Sequence, residues 1–534
     1  MAKSANSSWW QHGIAYQIYV RSWRDSDGDG IGDLAGVGQR LDYLESLGVD
    51  AIWLSPTMPS PDTDWGYDVA DYCAVHPDLG TSSDLDRLIL EAGEHNIAVF
   101  LDIVPNHTSS QHRWFLDALS GPNAKYRDYY IWADPKPDGS PPNNWTNYPG
   151  DPAWTFDEKS GQYYLHSFLP SQPDLNWRNE AVHREFDQIL NYWFERGIAG
   201  FRIDSANALY KDALLRDDPP ADPEATAKGE EAVIYSTRGP EAHQVYQHWR
   251  QIADSYEPGR VLLGEAWETD YERLAGWYGR DSPELHMDFN LPFILAPLRA
   301  RELASVVEAT LAALPPDATP VWTASNHDMG RLASRWCQGD RRAVKTALVL
   351  LATLPGTVVL YQGDELGLTD VDVPAAQRRD QMSLAMPDQP SRDRCRTPMP
   401  WSREPDAGFT DGPGIPWLPL GSHDTVNVED EAADPHSTLN FWRTLAALRS
   451  THRLGAGGPA TTLLLDDQVW CYRVGGTITM LNLSAEPSTR SLQGNAAHPV
   501  LAATDPAWQR SEVVDEVELG PWQALVVEVP RDGR

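Results

Sequence analysis

The stretch NEAVHREFDQILNYWFERGIAGFRID, residues 179–204, sets a helix pattern directly against a strand pattern. Val182, Phe186, Ile189, Leu190 and Trp193 recur at helical spacing and Gly197 supplies the stop. Ile198–Asp204 then runs apolar on successive residues, as a parallel strand buried on both faces does, and ends in an acid. Seven further runs read the same way: Ile14–Val20, Val49–Ser55, Ile97–Val104, Arg260–Glu265, Leu285–Phe289, Thr319–Ser325 and Thr357–Gln362. Helical patterns lie between them, including Ser83–His95, where Ser83 and Asp86 are spaced as a capping box. Eight strands alternating with helices, with no GxGxxG after any of them, predict a TIM (β/α)8 barrel of the α/β class.

Two intervals exceed ordinary βα connections. Residues 105–175, rich in Pro, Asn, Asp, Trp and Tyr, read as a lobe inserted after the third strand. Residues 363–435 form a long loop insertion after the eighth. The barrel is thereby assigned to residues 1–104 and 176–455. From 456 to 534 the texture changes to alternating, turn-separated runs such as Val469–Val474, Thr477–Leu483 and Ala524–Val529, which predict a C-terminal antiparallel β domain.

The chain has 534 residues, 77 of them acidic and 43 basic, for a formal charge of −34. Such a charge repels nucleic-acid backbones and anionic membranes and suits a neutral or cationic ligand. The 22 Trp and 20 Tyr include flat rings suited to sugar faces, although most serve the core. Cys73, Cys337, Cys395 and Cys471 lack metal or disulfide spacing. The start, MAKSANSSWWQHG, has no basic stretch leading into an apolar run, so a cytoplasmic protein is expected, a monomer or small homo-oligomer.

Asp102, Asp204, Glu265 and Asp328 each fall at or just beyond the end of an apolar run. In a barrel those ends ring the face where active sites are built. Arg202 and Asp204, two apart on a strand, share a side and point into the mouth, while Phe201 and Ile203 point toward the helices. A guanidinium keeps a neighbouring carboxylate ionised, as a nucleophile requires. Glu265 follows Val-Leu-Leu-Gly with Trp267 nearby, surroundings that let a carboxyl keep its proton and act as a general acid. Two carboxyls in opposite protonation states are what glycosidic cleavage needs.

Asp102-Ile-Val-Pro-Asn106-His107, Gly200-Phe-Arg-Ile-Asp204, Gly264-Glu265-Ala-Trp and Ser325-Asn-His327-Asp328 resemble, in order, the four signature segments of the α-amylase family, glycoside hydrolase family thirteen. Gln172-Pro-Asp-Leu-Asn176 resembles the segment marking its α-glucosidase and oligo-1,6-glucosidase branch. The resemblance implies Asp204 as nucleophile, Glu265 as acid/base and Asp328 as transition-state stabiliser, with net retention. His107 and His327 would hydrogen-bond the glucose and Tyr67 would stack beneath it. The resemblance further implies that Asp68 binds sugar hydroxyls and pairs with Arg396, in a stretch similar to the branch's RTPM(P/Q)W. That clamp would close one end of the pocket and give exo action on short α-glucosides such as maltose, with sucrose and aryl glucosides as further candidates. Ser205, after the nucleophile, departs from the Val of α-1,6 relatives and the Thr or Ala of α-1,4 ones, and its small size leans toward α-1,4 or mixed substrates. A transglucosylase or sucrose isomerase would use the same residues, and an inactive sugar-binding relative would lack the acids.

Asp25-Ser-Asp27-Gly-Asp29-Gly30-Ile31-Gly-Asp33 places oxygen donors at alternate positions with glycine sixth, as a calcium loop does. Gly36 stands where an EF-hand has its glutamate. The resemblance implies one structural calcium on Asp25, Asp27, Asp29, the Ile31 carbonyl and Asp33.

Overall fold

A computed structural model describes residues 9–220, 234–237, 239–386, 389–491, 498–508, 512–513 and 516–529. Residues 1–8, and with them most of the leader reading, lie outside the described residues. Along the chain, β1 (Ile14–Ile18), β2 (Ala51–Leu54) and β3 (Ala98–Ile103) precede three strands of a separate sheet, β4 (Trp132–Ala133), β5 (Trp154–Asp157) and β6 (Gln162–Leu165). Then come β7 (Gly200–Ile203), β8 (Val261–Gly264), β9 (Met287–Asp288), β10 (Val321–Trp322) and β11 (Thr357–Tyr361).

Eight of these strands pair in the order β10-β11-β1-β2-β3-β7-β8-β9, every ladder parallel. A parallel bridge between Phe289 and Val321 joins the two ends and closes the ring. Alternation along the strands explains how it fills. Ala51, Phe100, Leu263, Met287, Val321 and Val359 form one cluster of strand residues, the barrel interior. Phe201 and Ile203 belong instead to the large cluster shared with the surrounding helices. Gly200 is required by this packing, since a Cβ there would meet the Val261 carbonyl at 2.3 Å and the Phe100 ring at 2.4 Å.

The helix read from residues 179–196 spans Glu180–Glu195, capped by Asn179 and followed by Gly197 at φ 101°. The helix read as Ser83–His95 spans Ser82–Glu94, and its capping box is Thr81 with Asp84. Thr81 has the extended backbone a cap needs, whereas Ser83 already lies in the first turn. Strands β9 and β10 are two residues each, shorter than the apolar runs suggest. Before β9, the His286 ring accepts the Leu262 amide at 3.1 Å, so a side chain holds the place of a ladder carbonyl.

Strands β4–β6 form an antiparallel sheet packed on Trp145, Trp154 and Leu165. Beyond the barrel follow β12 (Thr461–Leu465), β13 (Val469–Val474), β14 (Thr477–Asn482), β15 (Ser488–Ser491), β16 (His498–Ala503), β17 (Glu512–Val513), β18 (Glu516–Leu519) and β19 (Ala524–Glu528). Six of them make one antiparallel sheet, β12-β13-β14-β19-β16-β17, while β15 pairs with β18. Among the described residues no helix is long and apolar enough to cross a membrane.

Candidate active site

The carboxylates converge on one guanidinium. Register pairs Asp102 on β3 with Arg202 on β7. Arg202 is fully buried, and its Nη1 lies 2.9 Å from both Asp102 Oδ1 and Asp204 Oδ1. Its Nη2 lies 2.5 Å from Glu265 Oε2. One planar group therefore holds acids from three consecutive strands of the barrel, in the fork geometry that suits arginine and not lysine. Asp102 is fixed from below by the Tyr67 hydroxyl at 2.9 Å and the Trp53 indole N–H at 3.1 Å. Backbone bonds from Asp204 to the Ile103 carbonyl and from Glu265 to the Ile203 carbonyl, both 2.9 Å, extend the ladders up to the acids. Directly after Asp204 the chain turns sharply, with Ser205 in the left-handed region at φ 46°. Strain of this kind persists where the surroundings over-determine the backbone, and functional sites are where it collects.

Glu265 is buried, and burial raises its pKa to about 8. Arg202 opposes the rise, while the charges of Asp204, Asp328 and Asp102 add to it. The group therefore carries its proton at neutral pH. Asp328 goes the other way. Burial works to raise its pKa, but Arg392 Nη1 at 2.9 Å and Arg396 Nη2 at 2.7 Å hold it well below the usual carboxylate range. His327 would add to this only when protonated, and burial lowers its pKa to about 3. Its Nδ1 accepts from Gln17 Nε2 at 2.7 Å, which leaves the proton on Nε2, 3.3 Å from Asp328 Oδ2. The ring stacks on Tyr67, with centroids 5.2 Å apart and planes 6° from parallel. His107 is buried, its Nε2 2.9 Å from the Tyr67 carbonyl and 3.1 Å from Gln172 Nε2.

The clamp differs from the sequence reading. Asp68 and Arg396 do not pair. Asp68 accepts from Ser60 Oγ at 2.5 Å and from the amides of Thr63 and Asp64 at 3.0 and 3.1 Å, so its carboxylate is spent within its own turn. Arg396 is taken by Asp328 and, through Nε, by the His327 carbonyl at 2.8 Å. The pair that forms is Asp64 with Arg392, at 2.8 Å, and Arg392 is braced in turn by Asp380 at 2.6 Å. Left-handed residues at Asp62, Trp65 and Gly66 fold the loop back so that Asp64 is the acid presented. Gln172 reaches Asp64 Oδ2 at 3.1 Å and so connects the clamp to His107. Sequence reasoning missed Asp64, Arg392 and Asp380. Arg392 stands four residues before Arg396, a signal that a second cation faced the same cavity.

The family model for the alpha amylase catalytic domain matches residues 17–457. The chain belongs to the α-amylase family. A probable alpha-glucosidase of Rhizobium meliloti (strain 1021) is 37% identical over 97% of this chain and 96% of its own length. An oligo-1,6-glucosidase of Heyndrickxia coagulans is 35% identical over 86% of this chain and 88% of its own. The crystal structure of the alpha-glucosyl transfer enzyme XgtA superposes with a TM-score of 0.90 at 35% identity, covering 98% of this chain and 99% of that one. These relatives place the chain in the α-glucosidase and oligo-1,6-glucosidase branch, as a glycoside hydrolase.

In this α-amylase-family chain the loop after β1 gathers carboxylate oxygens from Asp25, Asp27 and Asp29 within 4.8 Å of one another. Burial, with repulsion from the neighbouring carboxylates, raises the pKa of Asp27 and Asp29. A hard divalent cation would relieve that repulsion, so the donor set fits one. Asp33 is placed differently. Its oxygens accept from Ser26 and from the Gly36 amide, capping the following helix.

Proposed function

We propose that this protein is a retaining, exo-acting α-glucosidase that releases glucose from the non-reducing end of small neutral α-glucosides. The observation that carries this reading is the shared guanidinium: Arg202 holds Asp204 and Glu265 side by side, with Glu265 protonated by its surroundings. Asp204 attacks the anomeric carbon while Glu265 gives its proton to the leaving oxygen. The glycosidic C–O bond breaks and an ester to Asp204 forms. Glu265, now a carboxylate, takes a proton from water as the water oxygen attacks the same carbon and displaces Asp204. Asp328, held ionised by Arg392 and Arg396, offsets the positive charge that develops on the sugar. The neutral His327, together with His107, Tyr67 and the Asp64–Arg392 pair, orients the bound glucose. A longer chain threading past would leave that buried pair with its partners displaced, which supports exo over endo action. Small Ser205 supports α-1,4 or mixed linkage over α-1,6.

Transfer of glucose to a sugar hydroxyl, in place of water, uses the same ester and is the second reading, favoured by the likeness to an alpha-glucosyl transfer enzyme. One calcium on the Asp25, Asp27 and Asp29 carboxylates, with the Ile31 carbonyl, would be structural, and Asp33 caps the helix that follows the loop. A reducing compartment such as the cytoplasm is supported by four free cysteines. The test is proton NMR of maltose turnover at early times. Release of α-glucose first is expected. Release of β-glucose first would overturn retention, and early products dominated by longer or isomeric sugars would favour transfer.

A further inference from the structure

Arg202 holds the Glu265 carboxyl on the cavity side, and a further buried acid lies behind it. Asp288, the last residue of β9, stands beside Gly264 in the ladder of β8 with β9. Its neighbours Met287 and Phe289 fill the barrel interior, so Asp288 points the other way, toward the helices. Past this pair the Phe289 amide bonds the Gly264 carbonyl at 3.0 Å. The next amide to continue the ladder is that of Ala266, directly after Glu265, and Asp288 Oδ1 meets it at 3.0 Å. A side chain thus replaces the ladder acceptor, as the His286 ring does two residues earlier. Gly264 makes the room, since a Cβ there would meet Asp288 Oδ1 at 2.8 Å. Asp288 is itself anchored. Its amide donates to the Tyr278 hydroxyl at 3.2 Å, which in turn lies 3.1 Å from the Thr319 carbonyl.

Asp288 is fully buried, and among the described residues it has no ion pair. Burial holds its pKa well above the usual carboxylate range, against the pull of the Ala266 amide and with Glu268 adding to the rise. The carboxyl is therefore neutral: Oδ1 accepts the amide, and Oδ2, buried without a partner, carries the proton. It fills the space behind Glu265 without adding a negative charge there. We propose that Asp288 is a positioning residue for the acid/base: by holding the Ala266 amide it sets the reach of the Glu265 carboxyl toward the leaving oxygen. The inference rests on the role of Glu265 in the retaining mechanism above. Three bonds fix the backbone around Glu265. Its amide bonds the Ile203 carbonyl and its carbonyl takes the Ala206 amide, both at 2.9 Å, and the amide after it is held by Asp288. The first two are main-chain bonds that most residues would make, and of the three only the last depends on a side chain. Without it the peptide after Glu265 can turn, and a displacement of about 1 Å at a reacting group costs about a hundredfold in rate.

The experiment compares kcat/KM of the full-length protein for maltose and for 2,4-dinitrophenyl α-glucoside, whose leaving group needs no proton. Both values report the steps up to glucosylation, and their ratio does not depend on how much of a preparation is folded. Asp288→Leu, which keeps the branched outline of the carboxyl, and Asp288→Val, which suits a buried strand, both remove the acceptor. Each should lower the maltose to dinitrophenyl ratio about ten- to hundredfold. Asp288→Asn keeps an uncharged acceptor of the same shape and should hold the ratio near that of the parent. Equal losses on the two substrates would make Asp288 a structural support only and overturn the proposal. Failure of both apolar variants to yield folded protein would do the same. An Asn variant as impaired as the other two would also overturn it, since the acceptor would then not be what matters. Should the parent protein turn over neither substrate, the glucosidase reading itself would fall, so the two failures are distinguishable.

Discussion

Two acids four residues apart show how little composition says about role. Asp64 and Asp68 are both buried and both lie in the loop after β2. One faces Arg392 and the cavity; the other faces three donors of its own turn. Asp64→Asn should therefore lower kcat/KM for maltose about ten- to hundredfold, the worth of a hydrogen bond to a charged partner, with little change in Tm. Asp68→Ala leaves the Thr63 amide and the buried Asp64 amide without acceptors and should lower Tm by several degrees in thermal unfolding. Equal kinetic losses in the two would contradict the reassignment. Glu265 carries a second prediction. Because its acid form is the active one in the first step, glucosylation should fall as pH rises through about 8. Glu265→Gln should abolish this alkaline limb and cost on the order of 10²–10⁴-fold for maltose, much less for a dinitrophenyl glucoside whose leaving group needs no proton. The same burial fixes the sign of its stability effect. The folded state holds this proton at pH values where the unfolded chain has lost it, so stability falls as pH rises from the ordinary glutamate pKa toward 8. The Tm advantage of Glu265→Gln over the parent should consequently widen between pH 5 and pH 8.

At the scale of elements, strands and loops differ in what sequence can say. The apolar runs located all eight barrel strands because each is covered on two faces, and the acids at their ends followed from strand periodicity. That is why Arg202 beside Asp204 was legible. The clamp was not, because it lies in a loop where no periodicity tells which acid turns inward. Asp62 and Trp65 adopt left-handed backbone there, a choice that non-glycine residues do not advertise. What holds Trp65 is distant in sequence: its indole bonds the Arg379 carbonyl at 3.0 Å and packs on Trp417 at 4.8 Å. The calcium loop is an intermediate case, since local spacing showed the oxygens converging but not that Asp33 would cap a helix. If the cation is bound, chelation should lower Tm and added calcium restore it, by an amount growing with the logarithm of its concentration, about 2.7 kcal/mol at a hundredfold excess over Kd. Asp27→Asn should remove this dependence. Turnover at room temperature should be unaffected, as the hydrogen bonds of the Asp25, Asp27 and Asp29 carboxylates among the described residues stay within the loop. A Tm indifferent to chelator and calcium alike would refute the metal.

Across the whole molecule, a formal charge of −34 surrounds a site whose cations are already committed. Arg202 is shared among Asp102, Asp204 and Glu265, Arg392 among Asp64, Asp328 and Asp380, and Arg396 lies on Asp328. Buried Lys211 is held by Asp174 at 2.8 Å. A phosphorylated sugar would meet a repulsive field on approach and would have to break one of these pairs on arrival. A neutral disaccharide meets neither obstacle. Its kcat/KM should thus stay nearly flat between low and physiological salt, while that of the same disaccharide bearing a 6-phosphate should be at least about tenfold lower and rise as salt screens the field over about 10 Å at 0.1 M. Steady-state kinetics on the matched pair across a salt series measures both slopes. A phosphorylated substrate preferred at low salt, with kcat/KM falling as salt is added, would mean that a cation of this site is available to the ligand after all, and that the neutral-substrate assignment is wrong.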